Sequence, residues 1–378
     1  MTDSGLSPEQ EKEPGFFRTI VQDLRRVPAD MRRVGLKRSM SRTLTELQEF
    51  YFTTERRDRL AGMGRWKRWL FLSVWLLKSL FLRLTPARRI LLLLAFLLLS
   101  FGSTFRIGSN AQLIVSLPSV GVVLLLLILM LELKDKLLSH EELQAGRLVQ
   151  RALMPELSPE VSGWEICLYT QSANEVGGDL VDYLALDASR IGVALGDVAG
   201  KGLPAALLMA KLQATLRALA PEVGSLAELG SWLNRILYRD GLPNRFATLV
   251  YFEIVAESGR VRMLNAGHMP PLLLRSAKVE EMPQASSALG MFLDATFVEQ
   301  QVDVGIDDLL VAYSDGLTEA MNRAGEFFGE ERLNGLVADL AGLTAKTASA
   351  RLVAAVEAFV GDAPRHDDLS LVVLKRTC

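Results

Sequence analysis

Two long apolar runs dominate the pattern of hydrophobic and polar positions along the chain. Ile90–Phe105 is uncharged over 16 residues and Ala111–Leu131 over 21. A membrane-spanning helix needs about 20 apolar residues, so the second run predicts a span by itself. The first run is long enough only if Thr85–Ala87 lies among the lipid headgroups. Because the five residues between the runs allow only a tight connection, we predict a transmembrane helical hairpin over residues 88–131.

Charge sets the orientation predicted for this hairpin. Residues 1–89 contain 19 Lys and Arg against 10 Asp and Glu, whereas the rest of the chain has 23 against 34. Basic residues flank both outer ends of the pair and only Arg106 lies between the runs, so the positive-inside rule places both ends in the cytoplasm. The basic segment 1–65 has no nucleic-acid recognition motif. We therefore expect its partner to be an anionic membrane leaflet and not nucleic acid.

Residues 66–84 allow two interpretations. Trp66, Trp69 and Trp75 are interspersed with Lys and Arg, which is typical of a helix lying in the membrane interface. The alternative is a third span, in which Lys78 would cost about 2.5–3.5 kcal/mol if central in the bilayer. We favour the interfacial helix, because a third span would move the basic segment 1–65 to the outside of the membrane.

Residues 132–157 predict a helix that connects the membrane segment to the rest of the chain. The segment is rich in helix formers and has no Pro before Pro155, so the helix is expected to stop at Met154–Pro155. Its apolar stripe contains polar residues, which disfavours a strong coiled coil. Two roles are open: a passive spacer, or a regulatory helix that dimerises and conveys a signal to the next domain.

Residues 158–378 show short strand patterns with acidic residues at their tips. Predicted strands end near Asp197 and Asp315, Asp367 and Asp368 precede a third strand, and Asp179 follows a Gly-Gly pair. Each Asp-Gly alone is explained by a hairpin turn. Acids gathered at one end of a sheet, however, would repel one another unless cations neutralised them. Because only oxygen ligands are offered, the pattern favours Mg²⁺ or Mn²⁺.

Several other classes of protein are excluded. Cys167 and Cys378 are the only cysteines, which is neither a disulfide framework nor a zinc-finger spacing and fits a reducing compartment. The first sixty residues contain no secretory signal pattern. The glycines of Gly196–Gly202 have the wrong spacing for the phosphate-binding loop of nucleotidases.

Eight motifs follow one another between Gly177 and Leu374. They are GGDLVDY (177–183), GDVAGKGLPAALLMA (196–210), FATLVYFEI (246–254), LNAGHMPPLLL (264–274), ALGMF (288–292), YSDGLTEAMN (313–322), FGEERL (328–333) and DDLSLVVL (367–374). Together they resemble the bacterial stage II sporulation protein E-like branch of the PPM (type 2C) protein phosphatases. The resemblance covers about Arg147–Arg376, and its beginning, RLVQRALMPEL, resembles the regulatory helix that often leads into this domain.

The resemblance implies an α+β fold in which a PPM-type β-sandwich is flanked by helices, in α-β-β-α layers. It also implies a site for two ions, Mn²⁺ or Mg²⁺, at one end of the sheets. Asp197 would bridge both ions, the Val198 carbonyl, Asp315 and Asp367 would complete the ligands, and Asp179 would bind metal or orient its water. Asp197, Asp315 and Asp367 are therefore the predicted catalytic residues.

Four positions qualify this expectation. Asp368 matches a position that is more often polar than ligating, so we do not predict it as a ligand. Ala199 stands where animal-type relatives have a His, which leaves the acid for the leaving group unassigned. Lys201 is either a substrate contact or a solvated side chain. His268 either caps a turn or lines the site.

The sequence thus predicts a membrane-anchored, metal-dependent serine/threonine phosphatase with water activated by two metals. The resemblance suggests, as substrate, a phosphoserine or phosphothreonine of a regulatory protein such as an anti-sigma-factor antagonist. We expect a multi-pass protein of the bacterial inner (cytoplasmic) membrane with its catalytic domain in the cytoplasm, and a homodimer through the connecting helix. The alternative function is a pseudophosphatase that serves as a membrane-anchored binding scaffold.

Overall fold

A computed structural model describes residues 84–101, 104–107, 113–155, 158–240, 245–256, 258–284 and 286–378, together with Lys78, Phe81 and Leu82. The chain divides into two compact units, Met1–Glu132 and Leu133–Cys378. The predicted basic head over residues 1–65 and most of the predicted interfacial helix over 66–84 lie outside the described residues.

The apolar region forms two helices joined by a short β-ribbon. Helix α1 is Pro86–Ser100, strands β1 (Thr104–Ile107) and β2 (Leu113–Ser116) pair in antiparallel register, and helix α2 is Leu117–Leu153. The sequence predicted two helices within residues 88–131, and the two strands between them were not predicted. β-branched residues occur in both strands, which favours extended backbone, and Pro118 lies in the first turn of α2, where proline is favoured.

The predicted transmembrane hairpin is not confirmed. Helix α1 has 15 residues, a length of roughly 22 Å at the usual rise, whereas the hydrocarbon core is about 30 Å thick. By length and apolar composition, α2 is the one helix among the described residues that could cross a membrane. The two helices do run antiparallel, because Arg88 pairs with Glu132 over 2.7 Å and a Cβ at Gly121 would stand 2.9 Å from the Ala95 carbonyl oxygen.

Helix α2 continues without interruption through the segment predicted as a connecting helix. It ends at Leu153, followed by Pro155, so the predicted stop at Met154–Pro155 is confirmed. Its second half belongs to the second compact unit.

The second unit contains two five-stranded antiparallel sheets. Its strands are β3 (Trp164–Gln171), β4 (Leu180–Ala185), β5 (Arg190–Val198), β6 (Ala247–Val255), β7 (Arg260–Ala266), β8 (Leu272–Arg275), β9 (Lys278–Glu281), β10 (Glu299–Asp303), β11 (Leu309–Tyr313) and β12 (Leu369–Arg376). The first sheet has the order β10–β7–β6–β5–β4, and the second has the order β3–β12–β11–β8–β9.

Helices cover the outer face of each sheet. They are α3 (Leu203–Leu219), α4 (Leu226–Asp240), the short α5 (Asp315–Thr318), α6 (Gly329–Ala338) and α7 (Ala345–Val360). Helices α3 and α4 pack on the first sheet, and α6 and α7 pack on the second. Between the sheets lies a third apolar core that includes Val193, Phe252 and Val372. The predicted α+β fold with α-β-β-α layers is therefore confirmed.

Candidate active site

Strand alternation brings two aspartates to the same end of the inter-sheet core. Val193 and Leu195 of β5 face that core, and since side chains alternate along a strand, Asp197 follows them on the same face. Val181 of β4 also faces the core, and Asp179 lies two residues before it. Because β4 and β5 are paired neighbours, both carboxylates meet at one end of the first sheet.

The second sheet brings two further aspartates to this end through a cross-link between β11 and β12. The Ser314 N–H donates to the Ser370 carbonyl over 3.0 Å, and the Ser314 hydroxyl donates to the Asp368 carbonyl over 3.1 Å. Asp315, which begins α5, and Asp367, which precedes β12, are held together by these bonds. A Cβ at Gly316 would stand 2.0 Å from the Asp368 carbonyl oxygen, so only glycine allows this approach.

The carboxylates form one electrostatic cluster. Burial, and then the negative charge of Asp197, raise the pKa of Asp179 well above its usual range. Burial, followed by the charges of Asp315 and Asp367, raises the pKa of Asp197 to about 6. Burial and the charge of Asp367 also raise the pKa of Asp315. Neighbouring carboxylates that disfavour one another's ionisation call for a compensating cation.

The donor atoms at this end fit a hard divalent cation. Asp179 Oδ2 is buried without a hydrogen-bond partner among the described residues. The missing side chain of Gly178 leaves a cradle, because a Cβ there would lie 3.1 Å from the Val198 carbonyl oxygen and 3.4 Å from Asp197 Oδ1. Carboxylate and backbone oxygens are the ligands that Mg²⁺ prefers. Within the described residues, however, no three acidic, His or Cys side chains already stand close enough to hold an ion together.

Lys201 provides a positive charge at the rim of the cluster. Its ammonium lies 3.0 Å from Asp367 Oδ2, and the Lys201 side chain is 57% exposed. It also donates to the His366 carbonyl. The predicted role of Lys201 as a substrate contact stays a prediction, but the side chain is at the site and open to solvent.

Asp368 has a different role from its neighbours. Its buried carboxylate accepts from the Ala173 N–H over 2.8 Å and from the Gly178 N–H over 2.7 Å. A Cβ at Gly177 would stand 2.3 Å from Asp368 Oδ2, so this clasp requires glycine. The carboxylate holds the Gly-Gly-Asp turn through these two hydrogen bonds, and its omission from the metal ligands stays a prediction.

His268 contacts the site indirectly, through Thr248. It is 2% exposed, and its Nδ1 lies 2.8 Å from the Thr248 hydroxyl oxygen, which can donate in turn to the Asp197 carbonyl over 3.4 Å. The His268 N–H donates to Asn265 Oδ1 over 2.8 Å. Burial lowers the pKa of His268 to about 4, so the ring is neutral at physiological pH. This environment favours the structural role, because a buried ring does not reach a protein substrate.

Gln150 is a site residue that the sequence reasoning missed. It lies in the last turns of α2 and is 6% exposed. Its side-chain amide bonds to both backbone groups of Gly177, which precedes Gly178 and Asp179. The available signal was a Gln next to apolar residues just before the helix ends, in a segment whose start resembles the family's regulatory helix.

Two antiparallel sheets between helical layers, with aspartates clustered at one end, define the class of PP2C-like phosphatase domains. The sequence pattern of the stage II sporulation protein E (SpoIIE) family matches residues 187–377, and the chain belongs to this family.

Individual relatives agree with this assignment. Protein IcfG from Synechocystis sp. is 28% identical over 230 residues, which cover 53% of this chain and 36% of that protein. Phosphoserine phosphatase RsbP from Bacillus subtilis is 29% identical over 191 residues, which cover 49% of this chain and 47% of that protein. The match therefore spans less than half the length of either relative.

A solved structure supports the fold. The SiaA-PP2C domain of Pseudomonas aeruginosa matches with a TM-score of 0.54 at 22% sequence identity, over 64% of this chain and 98% of that domain. At this level of identity the likeness concerns the architecture of the two sheets and their helices.

Proposed function

We propose that this chain is a metal-dependent serine/threonine protein phosphatase that hydrolyses a phosphoserine or phosphothreonine of a regulatory protein. The observation that carries the proposal is the cluster of Asp179, Asp197 and Asp315, whose pKa values are raised by burial and by the neighbouring carboxylates. Membership of the SpoIIE family, and a relative named as a phosphoserine phosphatase, support the same activity.

Two ions, Mn²⁺ or Mg²⁺, would be held by Asp179, Asp197, the Val198 carbonyl, Asp315 and Asp367. Such ions lower the pKa of water and neutralise phosphoryl oxygens when bound. The chain's own contribution is to fix its ligands before the substrate arrives. Pairing of β4 with β5 orients Asp179 and Asp197, and the Ser314 bonds align the ends of β11 and β12. Such positioning supplies much of the catalysis in phosphoryl transfer.

The proposed organisation of the whole chain follows the sequence prediction. It comprises a basic cytoplasmic segment (1–65), an interfacial helix (66–84), a membrane segment (88–131), a connecting helix (132–157) and the phosphatase domain (158–378). Helix α2 supports membrane anchoring, since it is long and apolar enough to span. We place the protein in the bacterial inner membrane, with the phosphatase domain in the cytoplasm.

The connecting half of α2 is proposed to regulate the domain. Leu137 and Leu148 are more than half exposed on this helix, which offers an apolar surface for a homodimer, and Gln150 links the helix to the Gly-Gly-Asp turn. For the substrate we propose an anti-sigma-factor antagonist, on the strength of the family resemblance.

The experiment is a metal titration of the full chain in detergent. After the metal is removed with a chelator, phosphate release from a phosphoserine peptide is measured with Mn²⁺ and with Mg²⁺. We expect activity only with metal, and a loss of about 100-fold or more in Asp197→Asn and Asp315→Asn, as a lost metal ligand should give. Asp303→Asn is the matched control, because that side chain is 88% exposed and lies at the end of β10, outside the cluster.

Calorimetric titration with Mn²⁺ separates the other outcomes. Metal bound without turnover would indicate a missing activator or the wrong peptide. No metal bound would favour the pseudophosphatase scaffold and contradict the proposed activity.

A further inference from the structure

Arg245 lies over the loop that follows Asp197. Its Nη1 donates to the Ala199 carbonyl over 2.6 Å, and the Ala199 N–H donates to the Phe246 carbonyl over 2.9 Å. The start of β6 is thus tied to Ala199 by one side-chain bond and one backbone bond. These bonds hold the guanidinium on Ala199, the residue that follows Val198, whose carbonyl is a candidate metal ligand.

Gly200 provides the space that this arginine occupies. A Cβ at Gly200 would stand 1.3 Å from Arg245 Nη1, and the Gly200 φ angle of 114° lies in the region that favours glycine. Any side chain at position 200 would therefore displace the guanidinium. Arg245 is distant in sequence from the GDVAGKG motif. The two nevertheless form one structural feature, in which the guanidinium occupies the space left by the glycine turn.

Arg245 forms no ion pair with a carboxylate among the described residues. Arg245 has no ion pair with any of the clustered aspartates there, and its hydrogen bond goes to a neutral carbonyl. Lys201, on the same loop, does pair with Asp367. Lys201 is therefore engaged with the acidic cluster, whereas the remaining donors of Arg245, on Nε and Nη2, make no hydrogen bond to the described residues.

Phosphate is the ligand that such a group recognises best. A guanidinium presents parallel N–H donors that match two phosphoryl oxygens, and it stays charged at any physiological pH. Metal ions at the cluster would draw the phosphoryl group to the same end of the sheets. We propose that Arg245 binds the phosphoryl group of the substrate, with Gly200 as the seat that holds its guanidinium in place. This inference rests on the proposed phosphatase function.

The competing role is purely structural, in which Arg245 only fixes the Asp197–Gly200 loop. Such a role would act through the metal site and would change metal affinity. A substrate contact would instead change phosphate affinity at saturating metal. The two roles are therefore separable by measuring both affinities in the same variant.

The test uses the full chain in detergent, saturated with Mn²⁺. We would measure kcat/KM for the phosphoserine peptide, inhibition by inorganic phosphate, and calorimetric binding of Mn²⁺ and then of phosphate. Arg245→Ala should lower kcat/KM about 10- to 100-fold and weaken phosphate binding about tenfold, the usual range for a lost charge-assisted hydrogen bond. Its Mn²⁺ affinity should be unchanged.

Two further variants and one additive sharpen the result. Arg245→Lys should recover part of the loss, since it keeps the charge without the planar pair of donors, and added guanidinium ion should partly rescue Arg245→Ala. Arg260→Ala is the matched control, because it removes the same charge from a 65% exposed side chain at the opposite end of the first sheet. It should leave all of these values unchanged.

Phosphate binding by Arg245→Ala as tight as that of the wild type would overturn the proposal, and so would a parallel loss of Mn²⁺ affinity. A wild-type protein that releases no phosphate would count against the proposed function instead. The calorimetric comparison of phosphate binding to the Mn²⁺-loaded proteins would still decide the role of Arg245. If Arg245→Ala does not fold, Arg245→Lys provides the same comparison.

Discussion

The side-chain amide of Gln150 pairs with both backbone groups of Gly177. Its Nε2 donates to the Gly177 carbonyl over 2.8 Å, and its Oε1 accepts from the Gly177 N–H over 3.0 Å. Gln150 belongs to the end of α2, and Gly177 begins the turn that leads to Asp179. One buried side chain therefore couples the position of the connecting helix to the position of a candidate metal ligand.

The first prediction concerns this contact. Gln150→Leu removes both bonds and leaves the Gly177 N–H and carbonyl buried without partners, at a cost of about 1–3 kcal/mol. The turn should then relax away from its present position, and the Mn²⁺ affinity should fall about tenfold with a matching rise in the metal concentration needed for activity. Isothermal calorimetry and phosphate release measure the two effects.

Glu142→Gln is the control for this variant, because Glu142 is an exposed residue on the same helix. It should behave as the wild type. Unchanged Mn²⁺ affinity in Gln150→Leu would show that the helix and the site are not coupled through this residue.

The second prediction concerns the pH dependence of stability without metal. The pKa of Asp197 is raised to about 6 in the folded protein, so the unfolded chain loses this proton at lower pH than the folded chain. The resulting stabilisation is complete below the ordinary pKa of about 4 and is lost as the pH rises through about 6. The chelated protein should therefore unfold more easily at about pH 7.5 than at about pH 5, by roughly 1.4 kcal/mol, because pH 5 lies only about one pH unit below the folded pKa of about 6.

Thermal unfolding of the chelated protein over this pH range provides the measurement. Asp197→Asn should have a smaller slope, and Mn²⁺ should remove most of the destabilisation at the higher pH. His268 acts in the opposite direction, since its lowered pKa of about 4 means that stability is lost as the pH falls through about 6.5 towards 4. If the stability of Asp197→Asn depends on pH as strongly as that of the wild type, Asp197 is not the origin of this pH dependence.

The third prediction concerns the buried carboxylate of Asp182. Arg217 donates to both of its oxygens over 2.7 Å, and Gln213 adds a bond of 3.0 Å. Arg217→Ala leaves a fully buried charge with too few donors, which typically costs about 3–5 kcal/mol. We expect a loss near the lower end of this range, because Gln213 remains, with no direct effect on Mn²⁺ affinity.

Urea unfolding at constant Mn²⁺ measures this loss, and the double variant with Asp182→Asn isolates the pairwise contribution. The control is Arg323→Ala, whose ion pair with Asp362 is largely exposed and should contribute less than about 1 kcal/mol. Equal losses in the two arginine variants would contradict the role assigned to Asp182.

Local patterns in the sequence were sufficient for much of this molecule. Short apolar runs identified the strands that end near Asp197 and Asp315, and Pro155 marked the end of α2. These features depend on neighbours within a few residues, where backbone sterics and side-chain alternation act directly. The eight ordered motifs gave the family and, with it, the sandwich of two sheets. The strands β1 and β2 were not predicted, because apolar character alone does not distinguish a helix from a strand.

Only the tertiary structure decided how distant residues meet. The bonds from Gln150 to Gly177 and from Arg245 to Ala199 join residues separated by 27 and 46 positions. No local sequence pattern around either partner predicts these bonds. Likewise, the hydrogen bond from the Gly178 N–H to the Asp368 carboxylate joins residues 190 positions apart. It gives Asp368 a different role from that of its neighbour Asp367. The sequence by itself determined which segments become strands and which acids stand at their ends. The packing of the two sheets decided which acids share a site, because contacts between distant segments depend on the whole arrangement of strands and not on any one of them.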